Sequence, residues 1–164
     1  MDTRQLIAYV IRPVLQAMDM YSIPALTLVV GTAAQESQFR FIHQLGGGPA
    51  LGLWQMEPAT HADIWDNYLR YKPDVATRIK NLAGITTASE RYLLFNLFYA
   101  CAMCRAHYRR RPEALPETLE AQAAYWKKYY NTPLGRGTVD EYIHNFRRLV
   151  LPNLTPEERR LLRE

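Results

Sequence analysis

The sequence is poor in cysteine and has no long apolar run. Its 164 residues include only Cys101 and Cys104, so a disulfide framework is excluded as the basis of the fold. The longest weakly polar runs, 25–34 and 92–104, fall well short of the ~20 apolar residues that a membrane span requires. We therefore expect no stable membrane insertion.

An export signal is also missing from the start of the sequence. Charged side chains interrupt every candidate apolar core of a signal peptide there: Asp2, Arg4, Arg12 and Asp19. We therefore expect a chain that is made in a cytosol and is not secreted through a leader peptide.

The composition is that of one ordinary globular domain. A hydrophobic fraction of 48% with 22% charged residues excludes disordered, collagen-like and coiled-coil chains. The length predicts a single domain over residues 1–164. The formal net charge is +4, and the whole basic excess lies in residues 105–164.

The spacing of apolar residues predicts a mainly α fold. Ser22 is expected to cap a helix through about residue 39, and Pro13 is expected to kink the helix before it. Thr87 or Ser89 is expected to cap the longest helix, which covers 90–110. The remaining predicted helices cover 2–21, 58–68, 73–82, 117–130, 139–149 and a short stretch after Thr155. A small β-ribbon is expected only at residues 50–56.

One carboxylate occupies an apolar helix face. At 100° per residue, Leu26, Val29 and Ala33 share a sector of about 80° with Glu36. Burial and the negative end of the helix dipole both favour the neutral carboxyl, so its pKa should be raised, which suits a general acid. The alternative is a glutamate that turns to solvent or pairs with Arg40.

The residues around Glu36 carry a family resemblance. The string AQESQF at 34–39, a glycine loop at 46–48, and LGLWQM at 51–56 before Pro-Ala-Thr resemble the soluble lytic transglycosylases and goose-type lysozymes. The family has Gly-Leu-Met-Gln-Ile in the second motif. Trp54 and Met56 replace its Met and Ile, and both keep an apolar wall.

A third family motif, Ala-Tyr-Asn, is matched less closely. Tyr130-Asn131 ends a predicted helix before a Pro/Gly turn, as the family's pair does. Tyr129 takes that place if the register slips, and Ala124-Tyr125 is a weaker match. The family's Asn-Ile helix corresponds loosely to Asn96-Leu97, and the resemblance spans about residues 22–135.

The resemblance implies a single lysozyme-like domain with an active-site cleft that cuts the β-1,4 bond between N-acetylmuramic acid and N-acetylglucosamine in peptidoglycan. Lytic transglycosylases use one glutamate, here Glu36, first as acid and then as base, and form a 1,6-anhydro ring without a cofactor or metal. Residues expected to contact the glycan or position Glu36 are Ser37, Gly52, Trp54, Gln55, Met56, Tyr130 and Asn131.

Two alternatives to this function stay open at the sequence level. A hydrolytic lysozyme would use a second carboxylate as nucleophile or as base for water, and Glu57, Asp63 and Asp66 follow the second motif closely enough to supply it. A structural virion or tail component would keep the fold with weak or no activity.

A wall-degrading signature without an export signal is typical of a bacteriophage protein. We expect an endolysin or a virion-associated lysin that reaches the periplasmic cell wall from the virion or through a membrane pore made by another protein. The expected partners are peptidoglycan glycan strands and other phage virion or tail proteins.

The last third of the chain holds the densest basic region: Arg105, His107, Arg109, Arg110, Arg111, Lys127 and Lys128. The tyrosines interleaved with these basic residues would suit stacking on nucleic acid. The basic region is also explained by the preference for cations at a helix C-terminus, or by attraction to the acidic peptide stems of the cell wall. We expect no nucleic-acid partner. The spacing Cys101-x-x-Cys104-x-x-His107 lacks a second ligand pair, so buried thiols and no metal are expected.

Overall fold

The computed structural model describes residues 1–162, which are mainly helical. The helices are α1 (Thr3–Leu6), α2 (Arg12–Ala17), α3 (Ile23–Ser37), α4 (Pro58–Asn67), α5 (Pro73–Ala83), α6 (Tyr92–Phe95), α7 (Leu97–Arg109), α8 (Leu119–Trp126), α9 (Val139–Leu149) and α10 (Pro156–Leu161). Two π turns cover Ile7–Ile11 and Lys127–Asn131. Short 3-10 turns cover Leu45–Gly47, Leu69–Tyr71 and Leu151–Asn153.

Helix α3 is the central helix of the core, and it packs against α2, α7, α8 and α9. Ser22 caps its start as predicted, because the Ser22 hydroxyl accepts a hydrogen bond from the Ala25 amide at 3.1 Å. The helix ends at Ser37 because Gln38 takes a left-handed conformation with φ of 51°. Glu36 therefore stands in the last turn, beside the buried face of the helix.

The predicted helix over 90–110 is wrong as one continuous element. Asn96 leaves the helical conformation, with φ of −111° and ψ of 98°, and separates α6 from α7. Its carboxamide oxygen accepts from the Tyr99 amide at 3.0 Å, and its amide group donates to the Ala83 carbonyl at 2.9 Å. The cap of α7 is therefore Asn96, rather than Thr87 or Ser89.

The first helical stretch runs through Pro13 without breaking. Proline lacks an amide hydrogen and its ring crowds the carbonyl one turn earlier. The π turn Ile7–Ile11 comes just before Pro13, and the Arg12 amide donates to the Ile7 carbonyl. The wider turn adapts the helix to the proline, so α1 and α2 follow one another directly.

The expected ribbon at 50–56 is reduced to isolated bridges. Leu51 and Met56 exchange two backbone hydrogen bonds of 2.9 and 3.0 Å, and Leu51 also bridges to His43. No strand forms within residues 1–162. The segment is a tight turn that joins the core to the loop after α3.

Helix α7 is enclosed along most of its length. Cys101 and Cys104 are free and buried in it, as predicted, and burial raises the pKa of both thiols.

Among the helices of residues 1–162, none combines the length and apolar character that crossing a membrane requires.

Gly52 lies at a close approach between the tight turn and the end of α6. It has φ of +76°, and a Cβ there would lie 2.2 Å from the Leu93 carbonyl oxygen. Any side chain would therefore meet both an unfavourable backbone conformation and a rigid backbone atom. The position requires glycine for packing.

We predict that Gly52→Ala lowers the free energy of unfolding by about 3 kcal/mol or more, because the strained φ and the clash add. Gly84→Ala is the matched control: Gly84 has φ of +67° but open space around it. The control should lose only ~1–2 kcal/mol. Urea denaturation of both variants tests this, and equal losses would contradict the role of the Leu93 contact.

Candidate active site

An open pocket of about 1020 Å³ lies beside the end of α3. Its walls come from four segments: the last turn of α3, the loop and tight turn at 38–57, the π turn Lys127–Asn131, and the loop at 132–137. Two of its rim residues, Leu45 and Leu134, are strongly exposed apolar side chains. The volume of the pocket lies at the upper end of the range found for ligand-binding pockets.

Glu36 lines this pocket with a half-buried carboxyl group. Its Oε1 accepts a hydrogen bond from the Trp126 indole nitrogen at 2.8 Å. Burial raises the pKa of Glu36 to about 7, and the Trp126 hydrogen bond opposes this rise because it favours the charged form. Arg40 is not its partner: the ion pairs found within residues 1–162 do not involve Glu36.

Trp126, which the sequence analysis did not identify, is held in place by packing on two sides. It is fully buried at the end of α8, and its ring centroid lies 5.3 Å from that of Tyr142 on α9. Gly137 covers the indole so closely that a Cβ there would lie 2.6 Å from it. The donor is therefore fixed by packing and points at one oxygen of Glu36. The sequence offered one signal for this role: Trp126 lies four residues before Tyr130 on the same helical stretch.

Tyr130 lines the pocket from the π turn Lys127–Asn131. Its hydroxyl donates to the Trp54 carbonyl at 2.6 Å, and burial raises its pKa, so the group stays protonated. Tyr129 is turned away: its hydroxyl bonds Glu113, and it is not part of the pocket wall. Of the two tyrosines, only Tyr130 is placed to contact a ligand beside Glu36.

Asn131 also lines the pocket, and its carboxamide oxygen is already engaged. Lys127 donates to that oxygen at 2.7 Å and to the Gly135 carbonyl at 2.7 Å. The lysine therefore ties the π turn to the loop that covers Trp126. Asn131 keeps its amide group as the part available to a ligand.

Three other predicted residues line the pocket: Ser37, Gln55 and Met56. The polar groups of the first two are mostly engaged in hydrogen bonds. The Ser37 hydroxyl donates to the Ala33 carbonyl and accepts from the Phe39 amide, both at 3.2 Å. The Gln55 side chain donates to the Gly52 carbonyl at 2.8 Å. Met56 forms apolar wall. Ser37 thus secures the end of α3, and Gln55 offers its carbonyl oxygen.

Two residues predicted to contact the glycan do not line the pocket. Trp54 is 1% exposed, and its indole nitrogen donates to the Val29 carbonyl at 2.9 Å, so its face is core rather than a platform for a sugar. Gly52 is buried against Leu93 and does not line the pocket. Both residues support the tight turn from inside.

The candidate second carboxylates separate clearly. Glu57 lines the pocket and is exposed. Asp63 pairs with Arg110 and accepts from Asn67 at 2.7 Å, which together lower its pKa, and it lies outside the pocket. Asp66 is exposed and also lies outside it. Only Glu57 can therefore share a ligand with Glu36.

His107 is a second residue that the sequence analysis left without a role. One ring nitrogen, Nε2, lies 2.9 Å from the Tyr129 carbonyl and donates to it, while Nδ1 accepts from Arg110 at 2.8 Å. Burial and the charge of Arg110 lower the pKa of His107 to about 3, so the ring is neutral. It braces the π turn from α7, with its ring centroid 5.0 Å from that of Tyr130.

Within residues 1–162, no group of three or more His, Cys, Asp or Glu side chains is arranged to hold a metal ion. In comparisons with protein-family models, with curated proteins and with solved structures, nothing matches this chain.

The raised pKa of Glu36 makes stability depend on pH. The folded protein keeps the proton up to about pH 7, whereas the unfolded chain loses it near 4.5, so the stabilisation is present at low pH and is lost as the pH rises through 7. Between pH 5 and 8, Glu36→Gln should gain roughly 2–3 kcal/mol relative to wild type. Urea denaturation of both proteins measures this, and a stability difference that does not change between pH 5 and 8 would contradict it.

The Trp126 hydrogen bond should hold the pKa of Glu36 down. We predict that Trp126→Phe, which keeps an aromatic ring but removes the donor, raises the pKa of Glu36 by roughly one pH unit. Carboxyl ¹³C NMR titration measures it, with Glu36→Gln identifying the signal. Trp65→Phe is the control, since Trp65 donates to Tyr99 instead. A pKa that falls or stays the same would show that this hydrogen bond does not act on the charged form.

Proposed function

We propose that this protein cleaves the glycan strands of peptidoglycan as a lytic transglycosylase, with Glu36 as the only catalytic acid and base. The observation that carries the proposal is a desolvated carboxyl group, with no ion-pair partner within residues 1–162, at the wall of an open pocket of about 1020 Å³. With a pKa of about 7, this group exists in both protonation states at neutral pH, as a residue that must first give and then take a proton requires.

In the first step, protonated Glu36 donates to the glycosidic oxygen between N-acetylmuramic acid and N-acetylglucosamine. The bond from C1 to that oxygen breaks, and the leaving sugar keeps the proton as its 4-hydroxyl. Positive charge develops at C1 of the muramic acid, where the carbonyl oxygen of the substrate's own N-acetyl group stabilises it.

In the second step, the Glu36 carboxylate takes the proton from the C6 hydroxyl of the same muramic acid. The C6 oxygen bonds to C1 and closes the 1,6-anhydro ring, so no water is consumed. Trp126 assists here, because its hydrogen bond stabilises the carboxylate that exists between the two steps. It is a positioning residue, since it contacts Glu36 rather than the glycan.

The residues around Glu36 suit recognition of an N-acetylated sugar. Gln55 and Asn131 line the pocket with a carbonyl oxygen and an amide that have no hydrogen-bond partner among the described residues, and these groups match the amide of the substrate. Met56 borders the pocket but is only 2% exposed, so it supports these groups from the core rather than offering a face to a sugar ring. This arrangement supports a lysozyme-like domain in which the pocket is the glycan cleft.

Hydrolysis is the second candidate, and one observation favours it. Glu57 is an exposed carboxylate that lines the same pocket as Glu36, so it is the candidate for activating a water molecule. The two reactions differ in their products: hydrolysis leaves an ordinary reducing end, whereas transglycosylation leaves an anhydro end that is lighter by one water.

We predict that wild-type protein clears peptidoglycan in a zymogram and releases anhydro-ended muropeptides, identified by mass spectrometry. Glu36→Gln should lower the rate by about 100-fold or more, because the substituted side chain can neither donate nor accept the proton. Glu57→Gln, a matched change in the same pocket, should keep both the rate and the anhydro ends.

Three results would contradict this proposal. Clearing that survives Glu36→Gln would exclude Glu36 as the acid. Reducing ends that disappear with Glu57→Gln would establish the lysozyme reaction instead. A folded wild-type protein that clears no peptidoglycan would favour the structural virion role.

A further inference from the structure

A second cavity, of about 320 Å³, lies where α7 ends, away from the Glu36 pocket. Its wall includes Arg105 on α7, Arg109 at the last position of α7, and Arg111 two residues later, followed by the segment 112–115. The basic region noted in the sequence is thus divided. His107 and Arg110 turn towards the π turn and Asp63, whereas these three arginines surround the cavity.

Arg105 is the unusual member of this group. The residue is only 7% exposed, and its Nε and Nη1 atoms are buried without a hydrogen-bond partner within residues 1–162. Burial and the repulsion from Arg109 lower the pKa of Arg105. A buried guanidinium without an anion is destabilising, so an anion bound there would stabilise this arrangement.

The other two arginines also keep free donors. The Arg111 guanidinium lies over the Tyr129 ring at 5.0 Å, with its Nε buried and without a partner in the described part of the chain. None of the ion pairs found between residues 1 and 162 includes Arg105, Arg109 or Arg111. Glu113 also borders the cavity, but its carboxylate is engaged by the Tyr129 hydroxyl and by Lys128 at 3.5 Å.

The position at the end of α7 explains part of this charge, because cations are favoured at a helix C-terminus. That effect acts on exposed side chains such as Arg109. It does not account for Arg105, which lies a turn earlier and is buried beside the cavity.

We propose that this cavity binds a phosphate group, with Arg105 as the buried anchor and Arg109 and Arg111 as the outer contacts. Guanidinium groups bind phosphate through paired N–H donors, and a phosphate of about two negative charges balances the excess of three arginines over Glu113. The volume equals about ten water molecules, so a phosphate that carries a substituent also fits. The site is independent of the proposed glycan chemistry.

Titration of the full-length chain with inorganic phosphate, at constant ionic strength set with sodium chloride, tests the site by calorimetry and by the NMR signals of the arginine Nε–H groups. We expect saturable binding that shifts the Arg105 and Arg111 signals. Arg105→Met should weaken binding at least about ten-fold, and Arg91→Met, a change at an exposed arginine, should not.

Thermal unfolding separates binding from a structural role. Without phosphate, Arg105→Met should be as stable as wild type or more stable, because an unbalanced buried charge is removed, and it should lose the stabilisation by phosphate. If this variant does not fold, Arg109→Gln serves as the second variant. Arg109 is exposed, so its substitution should leave the fold intact and still weaken phosphate binding.

Two further ligands identify the source of the phosphate. Binding of glycerol phosphate as well as inorganic phosphate indicates a soluble ligand, whereas binding only to vesicles with phosphatidic acid, and not to phosphatidylcholine vesicles, indicates a lipid headgroup. Equal binding of acetate would overturn the choice of phosphate. Equal stabilisation by sodium chloride alone, or unchanged binding in Arg105→Met, would overturn the site. Glu36→Gln should bind phosphate like wild type, so this test and that of the catalytic proposal fail separately.

Discussion

The site depends on keeping one carboxyl group in an apolar setting without a cation. A full ion pair would hold Glu36 ionised, and full solvation would return its pKa to the usual range. The structure has a single indole donor on one oxygen and desolvation around the rest. Because the indole is neutral, it stabilises the charged form only in part. The proton affinity of Glu36 therefore follows from how tightly α8, α9 and the glycine loop enclose Trp126.

The pocket is assembled from segments far apart in the sequence, and short hydrogen bonds join them. Tyr130 reaches the backbone of Trp54, and His107 reaches the backbone of Tyr129, so the π turn is held by both the tight turn and α7. The His107 ring stays neutral because burial and the charge of Arg110 lower its pKa. His107 therefore adds no second charge to the pocket that holds Glu36. Asp63 in turn balances Arg110 outside the pocket.

The helical character and the position of Glu36 were accessible from the sequence because helical periodicity is a local property. Depth and long-range partners are not local. Trp54 has the pattern of a pocket residue, yet the fold of the tight turn places its indole against Val29. Trp126 lies 90 residues from Glu36, and no spacing rule connects them. Asn96 was concealed within an apolar run, where its capping of α7 depends on the contact with Ala83.

The π turn at the end of α8 has a consequence for how the site tolerates change. An α-helix advances about 100° with each residue, and a π turn accommodates one extra residue within such a helix. The facing direction of Tyr130 and Asn131 is therefore set by the number of residues in the turn Lys127–Asn131 as much as by their identity. Substitution of a side chain in this turn changes one contact at a time. Insertion or deletion of a single residue instead rotates Tyr130 and Asn131 about the helix axis, away from Glu36.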